Sequence, residues 1–141
     1  MYAIAFKRSL ATALTALLLP ATHAAELVVT VQSIAKPSGQ VLVAVYDGEA
    51  RFRKERTTGA MRRATPGEMQ FKFSDLPAGD YAVMVFHDIN DNGKLDTNLV
   101  GMPKEPWGGS LQGKSVFGAP TWTDVMFPLS ADGKTIVVNI D

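Results

Sequence analysis

The stretch Glu26 to Asp47, ELVVTVQSIAKPSGQVLVAVYD, decides the fold class. Both of its ends are rich in valine, with apolar residues at every second position, and KPSG between them supplies turn residues. A helix would need apolar side chains every three to four positions, and that recurrence is missing. The spacing predicts two adjacent strands joined as a hairpin.

The same period continues outward. EMQFKFSD (Glu68 to Asp75) alternates Met69, Phe71 and Phe73 with Glu68, Gln70 and Lys72, the pattern of a strand with one wet face. YAVMVFHD (Tyr81 to Asp88) is apolar on both faces, as a central strand is. DVMFPLS and TIVVNI complete the set, with ADGK (Ala131 to Lys134) as the turn joining them. EARFRKERTTGAMRR has room for only a turn or two of helix. Six or seven short strands punctuated by glycine and proline predict an antiparallel sandwich or barrel, with the sandwich favoured. In LPAGDY, Pro77 fixes the first turn angle, Gly79 permits a positive φ, and Tyr81 starts a buried strand with its hydroxyl placed to bond back to nearby backbone. The poorly patterned stretch Asn98 to Thr123 must be either functional or pinned.

The first 24 residues read differently. Lys7 and Arg8 precede an apolar run from Leu10 to Leu19, and small residues follow near Thr22 and Ala24. That is the pattern of a secretory signal peptide, with cleavage expected after Ala24 and one domain over 25–141. The run falls short of the ~20 residues that cross a bilayer, so no permanent membrane span is expected. The chain carries 14 basic and 14 acidic residues, and the leader holds two of the basic ones, so the mature protein is nearly neutral. Near-neutrality gives no electrostatic case for nucleic acid. Cysteine is absent, which excludes disulfides and a lipid-modified cysteine. A periplasmic or secreted protein is the expectation.

Chemistry concentrates in HDINDNGKLDTN (His87 to Asn98). Asp88, Asn90, Asn92 and Asp96 stand at positions 1, 3, 5 and 9 of an EF-hand-like loop, Gly93 at position 6, and Lys94 at position 7, where a backbone carbonyl is used. Alternating oxygen side chains on a curling backbone can converge on a hard cation, so calcium is the expected cofactor. Position 12, usually a bidentate glutamate, is Leu99. Completion then falls to a distant carboxylate, with Asp47, Asp75, Glu105 and Asp124 as candidates; otherwise the site is weak. The alternative is a turn whose Asn side chains bond local backbone while Gly93 takes a left-handed conformation. With His87 as the single histidine after the leader and no cysteine, the chain argues against zinc and copper.

The segment SDLPAGDYAVMVFHDINDNGKLDTNLVGMPKEPWGGS (Ser74 to Ser110) resembles the signature of a family of small exported bacterial proteins, domain of unknown function 2141. The resemblance extends over nearly all of the mature chain, from the valine-rich strands to FGAPTWTDVMF. It implies a β-sandwich of the immunoglobulin or transthyretin kind and brings no established activity. Pro106, Trp107, Gly108 and Gly109 stand where the family often has an aromatic-glycine pair. LPAGDY is also similar to a turn of carboxypeptidase-regulatory and surface-protein B-type modules.

Other residues carry weaker signals. His87 sits where strand becomes loop, either near the metal or bonded to backbone. Trp107 and Trp122 lie in glycine- and proline-rich segments, suited to stacking on a ligand or to plugging the open end of the sandwich. With Glu105 and His87 they form the candidate ligand-binding set. Arg51 to Arg63 holds six basic residues against one acidic, a solvated connection or a surface for anionic lipid or polysaccharide. GGSLQG lacks the glycine two residues after Ser110 that a nucleophile elbow needs, and no spacing selects a carboxylate pair. The chain therefore reads as a calcium-binding, non-enzymatic binding or structural module with an envelope glycan or protein as partner. The competing reading is an enzyme or enzyme accessory subunit with a site between the 88–96 loop and the 103–110 loop.

Overall fold

The structure, a computed structural model, describes residues 24–113 and 118–141. Apart from Ala24, the expected leader lies outside them. Eight strands form in chain order: β1 (Ala25–Ile34), β2 (Gln40–Tyr46), β3 (Thr58–Arg63), β4 (Gly67–Leu76), β5 (Gly79–Asp88), β6 (Trp107–Gly109), β7 (Phe127–Leu129) and β8 (Lys134–Asn139). A single-turn 3₁₀ segment (Ser110–Gln112) and a one-turn helix α1 (Trp122–Val125) are the helical elements of the described residues.

Two sheets result. One has the order β4-β1-β8; the other has the order β3-β2-β5-β6, with β7 also pairing β5. The all-β sandwich predicted from the period of two is the fold. Its interior is built from alternate residues: Leu27, Val29 and Val31 of β1, Met69, Phe71 and Phe73 of β4, Val41, Val43 and Val45 of β2, and Tyr81, Val83 and Val85 of β5. The Tyr81 hydroxyl donates to the Pro77 carbonyl at 2.8 Å, closing the LPAGDY corner as its spacing suggested, but Gly79 takes no positive φ because it already opens the extended β5.

Pairing departs from the sequence reading in three places. β1 and β2 are not a hairpin: they lie in different sheets, and residues 35–39 carry the chain between them. Each strand is apolar on its core face, so facing one another across the interior buries the same side chains as pairing would. β7 and β8 likewise separate, one to β5 and one to β1. The β1–β8 pairing is parallel, from Leu27 against Lys134 to Gln32 against Asn139, in an otherwise antiparallel structure. In addition, the basic segment is not simply a connection. After a turn in which Phe52 N–H bonds the Gly48 carbonyl, its end becomes edge strand β3.

The second face of β5 has its own cover. Ala82 packs with buried Phe52 and Val125, and Tyr46, Met84 and Trp122 close around them. Phe52 meets Tyr46 and Trp122 edge to face, at 5.4 and 5.7 Å between ring centroids. This is why β5 is apolar on both sides although, among the described residues, no third sheet covers it.

Candidate metal centre

The loop leaves the end of β5 with Asp88 fully buried. A buried carboxylate needs partners. Asp88 Oδ1 accepts the Asn92 N–H at 3.1 Å, and Oδ2 accepts the Gly93 N–H at 2.7 Å. Asn90 Oδ1 accepts the Asn92 N–H at 3.3 Å, and Asn92 Oδ1 accepts the Lys94 N–H at 3.0 Å. Gly93 has φ +77°, and with the local backbone bonds of Asn90 and Asn92 this is the geometry the turn alternative expected. The alternating residues thus curl the backbone by bonding to it, and each side-chain oxygen retains a second lone pair.

The far end of the run is bonded to the two asparagines. Asn90 Nδ2 donates to Asp96 Oδ2 at 2.6 Å, and Asn92 Nδ2 donates to Asp96 Oδ1 at 2.8 Å. Those two bonds, first Asn92 and then Asn90, hold the Asp96 carboxyl below its usual pKa of 3.8, and the charges of Lys104 and Lys94 add to the effect. Asp96 is therefore a carboxylate kept ionised. Lys94 is exposed, and its side chain acts on Asp96 through charge.

Glu105 fastens the loop from outside. It is buried; its Oε1 accepts the Ile89 N–H at 2.9 Å and its Oε2 accepts the Asp96 N–H at 3.0 Å. The backbone bonds Lys104 N–H to Asp96 carbonyl (2.7 Å) and His87 N–H to Pro106 carbonyl (2.8 Å) hold the two segments side by side. Of the four carboxylates considered to complete the shell, Glu105 is the one at the loop. Asp47 pairs with Arg51 at 3.6 Å, Asp75 lies in β4, and Asp124 caps α1 through Thr121. Leu99 is fully exposed on a separate turn. Among the described residues no three or more His, Cys, Asp and Glu side chains group as a metal centre. The hydrogen-bonded set in the loop is two aspartates and two asparagines.

The remaining candidates scatter. His87 is buried at the end of β5, and its Nε2 donates to the Ser38 carbonyl at 2.6 Å while Nδ1 has no partner. Trp107 is half-buried in β6 opposite Phe86, and half-buried Trp122 packs on Phe52, so both lie on the outer side of the five-stranded sheet rather than at the sandwich's open end. Ser110 is fully buried; its Oγ accepts the Val83 N–H at 3.0 Å and donates to the Val125 carbonyl. Its hydroxyl is a strut between β5 and α1.

Two residues at the loop had their contacts unread in the sequence. Asp91, between ligand positions, accepts from Gln40 Nε2 at 2.9 Å and pairs with Arg63 at 3.5 Å, tying the loop to β2 and β3. Gly39 has φ +71° and packs against the Asp88 backbone so closely that a Cβ there would lie 1.9 Å from the carbonyl oxygen. The Ser-Gly pair signalled a turn but not this neighbour.

Residues 29–137 match a family described as an uncharacterized protein conserved in bacteria, domain of unknown function 2141. The chain belongs to that family. The match runs from the middle of β1 to near the end of β8 and includes the whole 88–105 region, so the loop and its Glu105 clasp lie inside the family domain. No curated protein and no solved structure matches the chain.

Proposed function

We propose that this domain of unknown function 2141 protein is an exported β-sandwich that holds one calcium ion in the Asp88–Asp96 loop and serves as a binding or structural module. The observation that carries the reading is the mutual bonding of Asn90, Asn92 and Asp96 above a buried Asp88. Side chains within hydrogen-bond reach of one another can all approach a single hard cation at ~2.3–2.6 Å. Asp88, Asn90, Asn92 and Asp96 would supply side-chain oxygens, Lys94 its carbonyl, and Glu105 the support that position 12 gives elsewhere. The basic and apolar leader pattern supports export.

With two carboxylates in the ligand set, affinity belongs near the weak end, at a Kd of ~10⁻⁴–10⁻³ M. Calorimetric titration of calcium into residues 25–141 tests this directly. Every sheet and every core residue described lies within that span, so it carries its own fold. Binding heat that disappears in Asp96→Asn and in Asn92→Ala is the expected result. No heat at millimolar calcium, or heat that survives both substitutions, overturns the proposal.

A further inference from the structure

The outer face of the five-stranded sheet is apolar where water should meet it. An antiparallel sheet packed on one side normally turns polar residues to the other. Here the half-buried outward residues of β2 include Leu42 and Ala44, and those of β5 are Met84 and Phe86. Phe52 and Trp122 cover this face as far as Tyr46 and Met84. Beyond that cover lie two shallow cavities. Leu42, Ala44, Met61, Met84 and Phe86 line one of about 230 Å³; Met84, Leu95, Met102 and Trp107 line the other, of about 160 Å³. Met84 belongs to both, so they adjoin as one trough.

Each cavity has one charged residue in its wall, and both are arginines: Arg56 in the first, Arg53 in the second. Burial pushes the Tyr46 hydroxyl above its ordinary pKa, while the charges of Arg53 and Arg56 together draw it down, so both guanidinium groups act on this one end of the trough. All 14 acidic residues of the chain are among the described ones. Asp47 and Asp91 pair with Arg51 and Arg63, and no carboxylate lies within ion-pair distance of Arg53 or Arg56 or lines either cavity. Two cations at the trough are therefore without a counter-charge. Gly59 leaves Arg56 its room, since a Cβ there would come 3.1 Å from the Arg56 Cδ. Arg53 holds φ +60°, a left-handed conformation that costs free energy in any residue but glycine, so strain sits at the residue that charges the second cavity.

Uncompensated cations beside an apolar trough select an anion with an apolar body. The other polar side chains in the walls are Tyr46, Thr97 and Trp107, too few to bond the hydroxyls of a sugar. Met61, Met84 and Met102, three of the five methionines beyond residue 24, line the trough, and their unbranched thioether side chains adapt to a flexible occupant. Tyr46 and Leu42 are four strand residues apart, ~13 Å at ~3.3 Å per residue, the reach of an extended chain of about ten carbons. We infer that this face binds a single-chain carboxylate amphiphile, a fatty acid of medium length, with its headgroup at Arg53 and Arg56 and its chain along Leu42, Met84 and Phe86. The inference does not rest on bound calcium.

Methionine-methyl NMR of residues 25–141, titrated in chelator with octanoate, decanoate and 1-octanol, tests it. Both anions are expected to shift the methyls of Met61, Met84 and Met102 and to leave that of the core residue Met69 in place. Decanoate should bind about fourfold or more tighter than octanoate, and 1-octanol about tenfold more weakly than octanoate. The double variant Arg53→Gln/Arg56→Gln changes two exposed residues, so its melting temperature should hold while its octanoate affinity falls about tenfold. No shift at millimolar anion, an equal shift of Met69, or 1-octanol binding as tightly as octanoate overturns the inference. A double variant with wild-type octanoate affinity also overturns it. Chelator keeps these outcomes separate from those of the calcium titration.

Discussion

Replacing Glu105 by alanine removes a carboxylate that bonds amides at both ends of the Asp88–Asp96 loop. A hydrogen bond to a charged acceptor contributes ~1.5–3 kcal/mol. Ile89 and Asp96 are half-buried, so water recovers part of the loss and the low end of that range applies to each. The expected destabilisation is ~3 kcal/mol, or a fall of roughly 9–15 °C in melting temperature for a domain of this size. Glu105→Gln keeps one acceptor oxygen and should lose about half as much. Thermal unfolding followed by circular dichroism in chelator isolates the clasp from any metal effect. A Glu105→Ala protein that melts within about 2 °C of wild type would refute the clasp as an energetic feature.

Three further outcomes follow from the same geometry. Asp96 has a depressed pKa, so its stabilising contribution is full above its unfolded value of 3.8 and is lost as pH falls through the lower folded value. Side-chain amide NMR signals of Asn90 and Asn92 should therefore hold steady down to about pH 4 and move below it, and movement near pH 6 would contradict the network. Ser110→Ala strands the Val83 N–H and the Val125 carbonyl in the interior and should cost ~2–3 kcal/mol in urea unfolding, whatever ligand the protein binds. Gly39→Ala combines a positive φ with a clash against the Asp88 carbonyl, and its urea midpoint should fall by the equivalent of ~3 kcal/mol or more with an unchanged slope.

Strand identity was legible wherever one face is buried and the other wet. Met69, Phe71 and Phe73 announce β4 because their neighbours Gln70 and Lys72 face water. Strand partnership was not legible, since the period of two fixes which face is apolar and not which strand lies beside it. β1 and β2 illustrate this: their valines fit a hairpin and a face-to-face arrangement equally well, and the protein uses the second. β3 was missed because an edge strand with Ala60 as its principal inward residue has little apolar pattern to show. Within the candidate site, the turn through Asp88, Asn90 and Asn92 could be read from spacing because those residues bond local backbone. Glu105's role depends on the long-range bond between His87 and Pro106, which no local pattern contains.

The parallel union of β1 with β8 has a consequence for how the molecule is made. The first strand of the domain stands in the middle of its sheet, and one of its two neighbours comes from residues 134–139. A nascent polypeptide leaving the ribosome carries β1 with one flank open until β8 has been made, so native assembly waits for a long-range closure. Deleting those six residues should yield a species prone to edge-to-edge association rather than a slightly smaller monomer.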